Sequence, residues 1–134
     1  MSDMPLGIFA YHIFRLVDLT LETVSETGRM RPELDPLFKR EGAAIATSRA
    51  LSDYTADVLD RLRRWAENPI DWSKQIDGNV FGPCTVEELW RIVTNHSGHH
   101  LRQFQVYLQE AGIPVPEPLP AELDRLELPA SLWG

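Results

Sequence analysis

The chain carries one cysteine, Cys84, so no internal disulfide framework can staple it, and such usage agrees with a reducing compartment. Basic residues are also in deficit: 13 Lys plus Arg stand against 20 Asp plus Glu, a net charge of -7. Nucleic-acid binding draws most of its affinity from a basic surface that releases counterions, so that class of partner is excluded. No apolar run approaches the roughly 20 residues that cross a bilayer, and no membrane partner is expected. The N-terminal MSDMPLGIFAYHIF lacks a basic leader, and His12 and Arg15 interrupt its apolar stretch, which makes it a poor signal peptide. A Gly-x-Ser-x-Gly elbow, a phosphate-cradling glycine loop and a Cys-x-x-Cys pair are all missing. The expectation is a cytoplasmic protein acting on a small molecule, with any catalysis resting on a metal.

What is present fits one domain over residues 1–134, long enough to bury a core unaided. Helical periodicity appears in three places. The first helix is predicted from after Pro5 to about Thr27, closed by Gly28, with a stripe of Phe9, Ile13, Leu16, Thr20 and Val24 and with His12 beside it. Residues 29–40 contain two prolines and mixed charge and read as a loop. A second helix is predicted over about 41–67, carrying Ile45, Leu51, Tyr54, Val58, Leu62 and Trp65 at helical spacing. Asp77-Gly78, between Gln75-Ile76 and Val80-Phe81, is a two-residue hairpin signal. The third helix is the best marked, with a Thr85/Glu88 capping box at its start, Gly112 at its close and Pro114 beyond. From about residue 113 a Pro-rich tail follows, in which AELDRLEL has room for one or two helical turns before Trp133.

The fold class is therefore all-α and four-helix-bundle-like, with three long helices, a small hairpin or loop before the last one, and the tail. Three helices are one fewer than such a bundle uses. The groove left open would be covered by the tail, by a missing N-terminal element or by a second copy, and a homodimer is expected on that ground.

The chemistry concentrates in TNHSGHHLRQF. His96 and His100 are four residues apart, about 40° apart on one helix face, a spacing that can chelate one divalent ion if a third ligand arrives. Val93 and Tyr107 lie on the same face, which turns the pair inward. His12 is the one histidine outside this cluster and the candidate third ligand, while His99, about 100° from His100, is a bystander. Such a site would be His12, His96 and His100 with an open fourth position. Gln103 and Asn95 are candidates to orient the ligands, Arg15 and Tyr107 to contact substrate. Cys84, just before the Thr85 cap, is placed where a helix N-terminus lowers a thiol pKa, although such a cysteine is more often inert.

NHSGHHLRQF followed by VYLQEAGI resembles the last helix of the DinB-like superfamily, damage-inducible metalloenzymes that include thiol-dependent transferases and isomerases. That helix typically reads Asn-His-x-x-x-His-Arg-Gly-Gln-Leu, and Asn95, His96, His100, Gln103 and Gly112 take the matching places. His12, within LGIFAYHIFRLVD, matches the family's remaining metal-binding histidine on its second helix. The resemblance spans roughly residues 5 to 118, and its histidine motif is its specific part. Leu101-Arg102 replaces the family's Arg-Gly, which puts any role of that arginine in doubt, and the family's first helix has no counterpart before His12. The resemblance implies a divalent metal, with Zn first and Ni, Fe or Mn also suited to three histidines, and a low-molecular-weight thiol such as glutathione, bacillithiol or mycothiol. The function expected is a metal-dependent transferase or hydrolase that activates a thiol or a water. The alternative is a non-enzymatic helical module with structural or interface histidines.

Overall fold

A computed structural model describes residues 6–31 and 47–115. The first helix, α1, covers Leu6–Glu22 and continues as a π-helical turn, Thr23–Thr27, which closes on Gly28 in the left-handed region at φ 68°. Every residue of the expected stripe, Phe9, Ile13, Leu16, Thr20 and Val24, is buried. The α-helix itself ends earlier than expected. Thr20, Thr23 and Ser25 each donate a hydroxyl hydrogen bond to the carbonyl four residues back. Such bonds satisfy buried hydroxyls but compete for the carbonyls of the helical ladder and loosen it, which accounts for the wider last turn.

The second helix, α2, covers Ser48–Ala66, starting later than the predicted 41. Thr47 is extended, at φ -129°, and its side chain accepts a hydrogen bond from the Ala50 amide, so it caps the helix instead of continuing one. Ile45 and the rest of the expected first turns lie outside the described residues, as do Trp133 and the AELDRLEL segment. Of the predicted α2 stripe, Val58 is fully buried and Leu51, Tyr54, Leu62 and Trp65 are half-buried.

The hairpin is real but is not built on a two-residue turn. Strands β1, Gln75–Asp77, and β2, Pro83–Thr85, pair antiparallel with Ile76 opposite Cys84. Residues 78–82 join them through a 3-10 turn, Asn79–Phe81, so Val80 and Phe81 belong to the connection. Gly78 has a negative φ of -79°, which is incompatible with the expected turn type. Glycine is needed there for another reason: a Cβ would stand 2.7 Å from the Gly82 carbonyl oxygen, to which the Gly78 amide donates. The start of the expected loop also pairs with this hairpin. Asp77 accepts from the Met30 amide and donates to the Gly28 carbonyl, which seats Met30 fully buried.

The third helix, α3, covers Val86–Glu110, and both bonds of the Thr85/Glu88 capping box are formed. Helix α1 packs extensively against both α2 and α3, whereas α2 meets α3 through the Trp65–Trp90 ring contact. Leu16, Leu19, Val24, Met30, Ile76, Cys84, Val86, Leu89 and Val93 form the main core cluster. It reaches α3 residue Val93, one turn short of His96.

Two losses of stability separate the capping device from the core. Thr85→Ala should cost about 1 kcal/mol by removing the cap bond. Leu89→Ala, at a fully buried position, should cost about 3 kcal/mol by leaving a cavity. Urea denaturation of each variant measures the difference.

Candidate metal centre

On α3, Leu89, Val93, His96 and His100 recur at spacings of three and four, so the two histidines continue the stripe that buries the core. Both are buried, His96 at 6% and His100 at 1% exposure. From α1, His12 arrives one turn after Phe9 and meets them across the α1–α3 interface. The Nε2 atoms of His12 and His96 are 3.4 Å apart, and those of His96 and His100 are 2.9 Å apart. One ligating nitrogen from each of the three lies within 4.8 Å of the others. Tetrahedral zinc holds imidazole nitrogens at about 2.0–2.1 Å, which sets them roughly 3.3 Å from one another. The observed spacing brackets that value, and three imidazoles are a donor set suited to Zn, Ni or Fe. This group can hold a metal ion.

The surroundings favour the neutral form of His96 and His100 and orient the ring of His100. Burial, reinforced by His100 and His12, depresses the His96 pKa to about 2. Burial also lowers that of His100, with the Gln103 hydrogen bond pulling the other way. The Nδ1–H of His100 donates to Gln103 Oε1 at 2.6 Å, a bond that fixes the tautomer and leaves Nε2 with its lone pair toward the other two rings. Phe9 packs edge-on against His100, with centroids 5.2 Å apart, and shields one side of it.

That proton arrangement creates a conflict. With Nε2 of His100 an acceptor, His96 can donate to it, but then His96 cannot accept from His12. If His96 instead accepts from His12, two lone pairs face each other at 2.9 Å. A neutral triad meets both contacts only by sharing the single His96 Nε2 proton between two acceptors, whereas a cation at the centre would engage all three lone pairs.

The remaining predicted residues fall as follows. Asn95 is half-buried, about 100° round α3 from His96. Tyr107 packs on Phe9 and, with Gln103, His99, Arg102 and Val106, lines a cavity of about 250 Å³. Arg15 is bound to Asp18 at 2.7 Å. His99 lies outside the converging triad, its ring 5.5 Å from that of His100. Cys84 fits the inert reading over the activated one: burial raises its thiol pKa, and the Glu88 and Asp77 carboxylates add to the effect.

Sequence reasoning did not find the polar cluster around Asp18. This carboxylate accepts from Arg15, from Arg61 at 2.7 Å and from the Tyr54 hydroxyl at 2.7 Å, joining α1 to α2. An acid on the apolar side of α1 was the available signal, but its partners come from another helix. Comparison with family models, with curated proteins and with solved structures finds no match.

Burial pushes the Asp18 pKa up, but hydrogen bonds from Arg61 and Tyr54 and the charges of Arg61 and Arg15 outweigh it, holding it below the ordinary 3.8. A carboxyl whose pKa is lower folded than unfolded stabilises the protein above the unfolded value and loses that contribution as pH falls through the folded value. Asp18→Asn should therefore lower stability at neutral pH, with the gap to wild type closing from about pH 4 downward. Urea titrations at successive pH values measure this.

Proposed function

We propose that this chain is a DinB-like, divalent-metal-binding helical protein, a metal-dependent transferase or hydrolase that activates a thiol or a water at His12, His96 and His100. The observation that carries the reading is the convergence of three imidazole nitrogens, two of the pairs 3.4 and 2.9 Å apart, with a single proton shared among them when all three rings are neutral. Three neutral ligands leave a divalent ion its full +2 charge, and the chemistry it supplies when bound is Lewis-acid activation of a nucleophile at an open position. Zn fits the spacing first, and Ni, Fe or Mn remain suited to the donor set.

The chain's own groups divide the remaining tasks. Gln103 holds the proton on His100 Nδ1 and so aims Nε2. Phe9 keeps water from one side of the same ring. Asp18 ties Arg15 into the α1–α2 contact, so an anionic substrate group would have to displace or extend that pair to use the guanidinium. The cavity beside Gln103 and Tyr107 offers a small molecule an approach to this side of α3.

The deep burial of His96 and His100 favours one other reading, a non-enzymatic module whose histidines serve stability. Under it, metal removal lowers the melting temperature, and no substrate is turned over.

Metal analysis of the purified protein tests the proposal. The expected result is about one equivalent of divalent metal per chain, lost in His96→Ala/His100→Ala. In Gln103→Ala the affinity should fall about 10- to 100-fold, the usual effect of removing a partner that orients a ligand. Substoichiometric metal that is unchanged in the double variant would overturn the reading.

A further inference from the structure

The side of α3 next to the histidines carries chemistry that a three-ligand metal site does not use. His99, Arg102, Gln103, Val106 and Tyr107 recur at i, i+3, i+4, i+7 and i+8, so they share one face of the helix, and together they line the cavity of about 250 Å³. Pockets for drug-sized ligands run from roughly 300 Å³ upward, so this one admits a smaller molecule. Val106, 45% exposed, and the Tyr107 ring supply an apolar wall. The charge on the lining is of one sign. Arg102 is the sole Lys, Arg, Asp or Glu between Ile92 and Gln109, and none of the five described lining residues is an acid.

Gln103 belongs both to this cavity and to the metal centre. Its Oε1 accepts the Nδ1–H of His100 at 2.6 Å, and the planar amide then turns its nitrogen away from that bond. The amide nitrogen makes no hydrogen bond among the described residues, so two donors remain on a side chain that lines the cavity.

We propose that this cavity binds a small organic carboxylate, clasped between the Arg102 guanidinium and the Gln103 amide with its apolar part against Val106 and Tyr107, and that its occupancy strengthens metal binding at His100. A carboxylate matches the donors in number and plane, because its two oxygens take one guanidinium N–H and one amide N–H in charge-assisted bonds. Inorganic phosphate has no apolar part and would turn oxygens toward Val106. A neutral molecule forgoes the charge that makes these hydrogen bonds strong.

The coupling to the metal has one sign. Donation from the Gln103 amide to an anion draws electron density toward Oε1, which tightens its hold on His100 Nδ1–H and makes the other nitrogen of that ring the better ligand. The negative charge of the carboxylate favours a nearby cation as well. By linkage, a bound metal strengthens carboxylate binding by the same factor. The coupling rests on the proposed metal centre, whereas the carboxylate site stands without it.

Benzoate is the probe, titrated into the full-length protein while nuclear magnetic resonance follows the Gln103 side-chain amide and the Val106 methyl groups. Both should shift saturably, with a dissociation constant on the order of 1 mM, as suits a ligand of this size. Benzamide, of the same shape but uncharged, should bind about tenfold more weakly. Arg102→Gln and Val106→Asp, both at exposed positions, should each weaken benzoate by about the same factor. Shifts that do not saturate, benzamide binding as well as benzoate, or an Arg102→Gln variant like wild type would overturn the site. Displacement of benzoate by an equal concentration of inorganic phosphate would do the same. Saturating benzoate should tighten Zn(II) about fivefold, the lower end of ordinary couplings, and Gln103→Ala should abolish that gain. Zinc and benzoate that bind without affecting one another would remove the coupling from the proposal. Benzoate that binds a protein with no zinc affinity would sustain the carboxylate site and sink the metal centre instead.

Discussion

Everything in this fold depends on the burial of α1 on two sides. It meets α2 along one face and α3 along another, so a polar group placed on it must find its partner inside the protein. The buried ones do so in three ways. Thr20 and Thr23 bond to their own helix, Asp18 gathers two guanidiniums and a phenol from around it, and His12 turns to the pair on α3. The first solution spends hydrogen-bonding capacity within the helix and widens its end. The second ties α1 to α2. The third ties α1 to α3, and it is the one that leaves chemistry unfinished.

Much of this was legible in the chain, for a definable reason. The α1 stripe, the capping box at Thr85 and the pairing of His96 with His100 are each set by spacing within one helix, and a period of 3.6 residues is readable without tertiary information. The His12 contact was reachable because the cluster lacked a third ligand and one histidine remained. What stayed hidden depends on neighbours distant in sequence. Asp18 looked like one more acid until Tyr54 and Arg61 arrived from α2. Met30 is buried because its amide pairs with Asp77 of the hairpin. Asp77-Gly78 matched a tight turn locally, yet the strand register placed the reversal around Asn79–Phe81. The thiol of Cys84 was read from its position before a helix, whereas its burial opposite Ile76 and the nearby carboxylates decide its acidity.

The histidine triad and the Asp18 cluster make an instructive contrast, since both are polar groups on α1 taken out of water. Around Asp18, donors and acceptor match: one carboxylate receives three hydrogen bonds and the charges offset. Nothing more is required of it, and its role is to join helices. Around His96 the inventory matches poorly, because three nitrogens converge on one shared proton and the Nδ1 atoms of His12 and His96 find no hydrogen-bond partner among the described residues. Buried polar groups left mismatched cost on the order of 1–3 kcal/mol. A protein with no use for the mismatch gains by replacing one imidazole with an apolar side chain, and α3 offers that solution one turn earlier at Val93. Three imidazoles where a single hydrocarbon would pack form a donor set that could hold a cation.

The three histidines of this candidate site sit on two helices and not one. An i, i+4 pair on α3 supplies two nitrogens at a separation set by helix geometry, independent of how the helices pack. The third nitrogen converts tertiary packing into coordination geometry: any rotation or slide of α1 against α3 changes the His12–His96 spacing while leaving the pair intact. Rigid α1–α3 packing is therefore a requirement of the site as well as of the fold. Val93 below the triad, Phe9 against His100 and Gln103 on its far nitrogen each restrain that packing from a different direction.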